Sequence, residues 1–142
     1  MKINMPNYGD PKYWDKRYQE QDGIMYDWLE KYDTLKNIIK DCAAKDSKVL
    51  MIGCGNAEVS ENMYDDGYQN ITNIDISPVV IEQMGKRCVS RPLMKYKIID
   101  ACKMDGIPDA SFNLVIDKGT SDSLLCSDKS YINVANMMKV KN

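Results

Sequence analysis

The sequence predicts an α/β domain, a mainly parallel sheet with helices on both faces, and three observations predict it. Four short aliphatic runs lie at 48–52 (KVLMI), 71–74 (ITNI), 96–99 (YKII) and 113–116 (NLVI). They alternate poorly, as strands covered on both faces do. Helix-like segments fill the gaps between the first three, so the order reads βαβαβ. Right-handed crossovers then make a Rossmann-like, doubly wound sheet the natural architecture.

Each element has its own signal. Residues 34–44 place Leu35, Ile38, Ile39 and Cys42 at amphipathic spacing ahead of the first strand. Residues 57–66 end in Asp-Asp-Gly, with Gly67 as a helix terminator. Residues 79–88 follow Ser77-Pro78, an N-cap with proline in the first turn. Residues 129–138 form a last candidate helix. Length favours one domain, read as residues 1–46 forming a helical cap and residues 47–142 a Rossmann-like core. A doubly wound sheet ordinarily continues, so the core is expected to be truncated after its fourth strand, leaving that strand as an apolar edge.

Composition removes several function classes. The 142 residues carry 19 Lys and Arg against 21 Asp and Glu, a net charge of -2. That balance offers no footprint for nucleic acid or an acidic membrane. No apolar run approaches a membrane span, and the N-terminus lacks the apolar segment of a secretory signal. Histidine is absent, which excludes histidine triads, bases and metal ligands. Cys42, Cys54, Cys88, Cys102 and Cys126 form no C-x-x-C pair and are odd in number. Neither a zinc site nor a disulfide framework is indicated, and reduced thiols suit a cytoplasmic protein.

Four places carry chemistry. Val49-Leu-Met-Ile-Gly-Cys-Gly-Asn56 runs from a buried strand through a Gly-x-Gly turn into a helix. Gly53 and Gly55 allow backbone conformations and close approach that a Cβ would obstruct, and free amides at the following helix start can meet an anion. Asp75 stands 22 residues beyond Gly53, at the end of the second strand, where a carboxylate can accept from two ribose hydroxyls. Asp100-Ala101 closes the third strand, where an acid and an amide can read an adenine edge; a solvated loop acid is the plain alternative. Asp117-Lys-Gly-Thr120 follows the fourth strand, on the rim where such sheets bind ligands; a surface ion pair is the alternative there. A dinucleotide fingerprint wants a third glycine where this chain has Glu58, and the lysine of a P-loop is missing. The loop better suits an adenosyl ligand without phosphates, such as S-adenosylmethionine.

Tyr13-Trp-Asp-Lys-Arg-Tyr18, Tyr26-Asp-Trp28, the glycine loop, Asn73-Ile-Asp-Ile-Ser77 and Asp117-Lys-Gly-Thr-Ser-Asp-Ser-Leu-Leu125 occur in that order. This set resembles the seven-strand, S-adenosylmethionine-dependent methyltransferases, in particular those acting on lysines of elongation factor 1-alpha. The resemblance implies that Gly53 approaches the methionine part of the cofactor, Asp75 holds the ribose and Ile76 covers the adenine. It implies that Asp100 and Ala101 read the adenine edge and that Lys118 contacts the cofactor. Trp14, Tyr18 and Trp28 would close over the ligand; Trp14 and Tyr18, four apart, read equally as core aromatics sharing a helix face. An aromatic face beside a sulfonium has a rationale of its own, because the cation is drawn to the ring.

Methyl transfer asks mainly for alignment and desolvation of a neutral amine. With no histidine, the candidate proton acceptors are Asp117, Asp122 or water. The implied partner is a protein substrate such as elongation factor 1-alpha, and a homodimer through the exposed sheet edge is a further expectation. Two classes stay open: an active methyltransferase, and a truncated, non-catalytic S-adenosylmethionine-binding or interaction module. A nicotinamide-dependent reductase is countered by Glu58.

Overall fold

A computed structural model describes residues 6–21, 24–126 and 130–140 of the chain. Strands β1 (Val49–Ile52), β2 (Ile71–Asp75), β3 (Lys95–Ile98) and β4 (Leu114–Asp117) form one sheet in the order β3-β2-β1-β4. Every pairing is parallel, with Val49 opposite Ile71 and Leu114, and Asp75 opposite Ile98. The four expected strands are present, each displaced by no more than one residue at either end. β1 and β2 are buried throughout, whereas at the two edges β3 is largely exposed and β4 mostly half-buried.

Helices α1 (Pro11–Glu20) and α2 (Tyr32–Cys42) precede the sheet, and α3 (Val59–Asp65) and α4 (Pro78–Arg87) make the two crossovers. Helices α5 (Thr120–Leu125) and α6 (Ser130–Val140) follow β4. The Ser77 hydroxyl accepts from the Val80 amide with Pro78 in the first turn, so the cap predicted from Ser77-Pro78 is the one that forms. Gly67 ends α3 in the left-handed region at φ 107°. Helix bounds differ from expectation by up to two residues. α2 begins at Tyr32, because the Tyr32 hydroxyl donates to the Asp66 carboxylate at 2.5 Å and its ring is buried. α5 was not expected at all.

The two sheet faces are covered unequally. Val49, Met51 and Ile71 pack with Val59, Met63, Val80 and Met84 from α3 and α4 and with Tyr18 from α1. Leu50, Ile52 and Ile74 face the other way, toward Met104 and toward Met137 of α6, with Ile107 and Phe112 from the long β3–β4 connection beside them. A loop therefore does on that face much of what a second crossover helix would do. Strand order reverses between β1 and β4, since successive strands are laid down outward from β1 to β3 and the next returns to the other side of β1. Ligands of open parallel sheets bind at such a reversal, beyond the strand carboxyl ends. No helix among the described residues is long and apolar enough to cross a membrane.

Candidate active site

A cavity of about 390 Å³ opens at that reversal, lined by α1, the 24–30 segment, the glycine loop, the ends of β2 and β3, and α5. The volume lies in the range of small-ligand sites. All ten residues expected around a cofactor line it: Trp14, Tyr18, Trp28, Gly53, Gly55, Asp75, Ile76, Asp100, Ala101 and Lys118. Residues from six separate stretches of chain converge because each follows a strand end or lies across one.

Asp75 is the buried acid at the centre. Its Oδ2 accepts from the Gly55 amide and its Oδ1 from the Ser77 amide, both at 3.0 Å. Burial raises its pKa, while the amides of Ser77, Gly55 and Ile76 act in the opposite sense. Gly55 is left-handed at φ 51°, and a Cβ there would stand 3.0 Å from the Tyr18 hydroxyl oxygen. Gly53 is more constrained: at φ 58°, its Cβ would fall 1.8 Å from Thr120 Oγ1. The glycine at 53 is thus demanded by the chain itself, whatever ligand lies beyond it. Asp100 Oδ1 accepts from the Cys102 amide at 2.8 Å, which holds the carboxylate at the cavity wall.

The aromatic wall explains the Tyr-Trp-Asp-x-Arg-Tyr opening residue by residue. Trp14 Nε1 donates to the Tyr8 carbonyl at 2.7 Å, and the Trp14 ring stacks on Tyr18 with centroids 6.0 Å apart. Asp15 accepts from the Ser77 hydroxyl at 2.5 Å, tying α1 to the start of α4. The Arg17 guanidinium lies 4.8 Å from the Trp28 ring centroid and donates to the Tyr13 hydroxyl at 3.0 Å. Trp14 and Tyr18 pack in the core cluster and also line the cavity.

Three expectations need correction. The amides at the start of α3 are not all free for an anion, because the Glu58 amide donates to Asp27 Oδ1 at 3.2 Å. Asp117 does not line the cavity; its Oδ1 accepts from the Thr120 and Ser121 amides at 3.1 and 3.2 Å, and its Oδ2 from the Ser121 hydroxyl. That carboxylate caps α5, and Asp122 is the candidate acid left at the cavity. Lys118 reaches the cavity but is engaged elsewhere. Its Nζ donates to the Trp28 carbonyl at 2.5 Å and stands 3.8 Å from Asp27 Oδ1.

Asp27 is the functional residue that sequence reasoning left without a role. Its side chain is 7% exposed and that of Lys118 11%, so the pair is nearly dry. Burial pushes the Lys118 pKa down while Asp27 pulls it up. With the Asn56 side-chain amide donating to the Ile24 carbonyl at 2.7 Å, this pair straps residues 24–30 across the glycine loop. An acid between two aromatic residues, as in Tyr26-Asp-Trp28, was the available signal: such a carboxylate is buried only if it has donors. Tyr8 and Leu29 also line the cavity and had no local signal, whereas Tyr26 and Thr120, which line it too, lie inside stretches the sequence had singled out.

The clamp supports a prediction. Lys118→Met should cost about 2 kcal/mol in urea denaturation, because Asp27 is left buried with the Glu58 amide as its remaining donor. Lys118→Met/Asp27→Asn should recover at least half of that loss. A double variant no more stable than the single one would remove the ion pair from this account.

The comparison with known proteins agrees with this geometry. A family model described as a methyltransferase domain matches residues 50–138. The chain is 43% identical over 123 residues to the Bos taurus eEF1A lysine and N-terminal methyltransferase, and 43% identical over 124 residues to the Homo sapiens protein of that name. The chain belongs to the S-adenosylmethionine-dependent methyltransferase family. The aligned part covers 86% of this methyltransferase domain but only 18% of either relative. The Mus musculus EEF1A lysine methyltransferase 4 is 30% identical over 129 residues, 90% of this chain and 50% of that protein.

Solved structures share the fold. One described as "Conversion of a Disulfide Bond into a Thioacetal Group during Echinomycin Biosynthesis" superposes with a TM-score of 0.67 at 22% identity, covering 93% of this domain and 57% of that chain. The glycopeptide N-methyltransferase MtfA, complexed with S-adenosylhomocysteine, gives 0.62 at 15% identity, covering 94% and 57%.

Proposed function

We propose that this domain binds S-adenosylmethionine in the cavity at the β1/β4 reversal and transfers its methyl group to a lysine amine of a protein substrate resembling elongation factor 1-alpha. The observation that carries the proposal is Asp75: a buried carboxylate at the end of β2, holding the Gly55 amide and facing a cavity with an aromatic wall. The names of the relatives supply the acceptor.

When bound, S-adenosylmethionine would supply a methyl group already activated on a sulfonium. The residues present fit it. Asp75 would accept from the ribose hydroxyls, and Asp100 with Ala101 would meet the adenine edge while Ile76 covers one ring face. Trp14, Tyr18 and Trp28 would exclude water and offer ring faces to the cation. Gly53 leaves the backbone open toward the methionine end, and Lys118 acts by holding the Trp28 carbonyl. Asp122, which lines the cavity, would take the proton of the acceptor amine, and Asp117 fixes the helix that carries it. Rate would come mainly from alignment and desolvation.

A two-part experiment tests the reading. S-adenosylhomocysteine should raise the melting temperature by several degrees at 100-fold excess over its Kd, and NADH should leave it unchanged. Tritiated donor should then label purified elongation factor 1-alpha. Stabilisation without label would favour a binding module that does not turn over; stabilisation by NADH alone would overturn the assignment of the ligand.

A further inference from the structure

We propose that residues 24–30, facing the end of α5 across the cavity mouth, form a docking surface for an amine-bearing polypeptide segment with apolar flanks, and that Leu29 is its anchor. This rests on the methyl-transfer reading and names the feature that presents the acceptor.

The first observation is the conformation of Leu29. It is left-handed at φ 69° and its side chain is 72% exposed, yet it lines the cavity mouth. A leucine is disfavoured in that region because its Cβ crowds the following carbonyl. Burial does not compensate for it. The surrounding clamp holds it there: the Trp28 carbonyl accepts from Lys118 Nζ and from the Glu30 amide at 2.5 and 2.9 Å, and Asn56 fixes the Ile24 carbonyl. Backbone and Asp27 are drawn inward, which turns apolar side chains outward.

The second observation is what those side chains make together. Ile24 is 61% exposed and Tyr26 46%, with Met25 exposed between them, so four large apolar groups lie within six residues. Leu125, 47% exposed, stands on α5, the helix that also lines the mouth. Tyr26 and Leu29 line the cavity itself and Ile24 and Met25 continue the apolar surface beside it; scattered single apolar residues mean little, but a cluster adjoining a cavity marks a contact surface.

Charge selects the occupant. The charged residues lining the cavity are Asp75, Asp100, Asp122 and Lys118, and Lys118 is paired with Asp27. With Asp75 and Asp100 engaged by ribose and adenine, Asp122 is the lining carboxylate left to meet an entering amine and to disfavour an anionic side chain. An amine between apolar flanks fits both the interior and the rim.

The test uses the whole chain saturated with S-adenosylhomocysteine, with purified elongation factor 1-alpha as the probe in a biolayer binding titration. Leu29→Gly should weaken that binding at least tenfold, a loss clearly larger than any in S-adenosylhomocysteine affinity, and the melting temperature should not fall, since glycine relieves the left-handed backbone. A residue retained for structure alone would not separate these readouts. Leu29→Glu should lose binding equally, and Val89→Ser, at an exposed apolar position outside the strap, should bind as the wild type does. Wild-type binding that is undetectable, or that Leu29→Gly leaves intact, overturns the docking surface. If no form binds S-adenosylhomocysteine but Leu29-dependent binding persists, the donor reading fails and the docking surface stands.

Discussion

Asp75→Ala should weaken S-adenosylhomocysteine binding by about 100-fold, equivalent to about 2.8 kcal/mol. The carboxylate already accepts from two backbone amides at 3.0 Å, and its remaining lone pairs are the natural acceptors for two hydroxyls. Charge-assisted bonds of this kind are roughly twice as strong as neutral ones, so two of them account for the effect. The variant also leaves the Gly55 and Ser77 amides without an acceptor, which should lower stability by about 1–2 kcal/mol. The pH dependence follows from burial, which raises the Asp75 pKa above its ordinary value. The native protein therefore holds this proton more tightly than the unfolded chain does. The contribution of this group to stability rises as pH falls through the folded-state value. Ligand affinity moves the other way, because ribose hydroxyls donate to the carboxylate, and Asp75→Asn should flatten that profile. Titration calorimetry across pH reads both. Asp75→Ala binding within threefold of the wild type would sink the assignment.

Gly53→Ala should lower stability by about 3 kcal/mol, roughly a 10 °C fall in melting temperature. Two causes add. An alanine at φ 58° is strained, and its Cβ would be driven into Thr120 Oγ1, 1.8 Å away. Thr120 cannot simply turn aside, since its hydroxyl donates to the Ile52 carbonyl at 3.0 Å and its amide to Asp117 Oδ1. β1, the glycine loop and α5 would therefore shift together, opening the sheet reversal where the cavity lies. Gly53→Ala/Thr120→Ala should recover about 1 kcal/mol relative to the sum of the single changes, because the two side chains compete for one space. Calorimetric melting of the four proteins closes the cycle. A strictly additive result would mean that Gly53 and Thr120 do not meet.

Much of the site could be read from the chain because its chemistry follows strand ends. Once 49–52, 71–75 and 114–117 are strands of one parallel sheet, Gly53, Asp75 and Lys118 must emerge at the same edge. Asp117 shows where that logic stops. Its position on the rim was legible, but its carboxylate turns toward the Thr120 and Ser121 amides and starts a helix that no periodicity announced. α5 has only six residues, too few for a hydrophobic period to register. The glycine loop divides in the same way. Glycines at 53 and 55 were expected for a ligand; Thr120 and Tyr18 turn out to need the space first.

The order of apolar runs, glycines and acids determined by itself the parallel sheet, its crossovers and the edge where the cavity forms. These features depend on spacing along the chain and on the fixed handedness of β-α-β connections. Tertiary structure alone decided how Asp27, Asn56 and Lys118 clamp residues 24–30, why Arg17 lies against Trp28, and how Leu29 is displayed in a left-handed turn. Those contacts join residues far apart in the chain, such as Lys118 and Trp28, separated by 90 positions. A buried charge or a strained backbone leaves no periodic trace, because what sustains it is the set of neighbours that folding brings together.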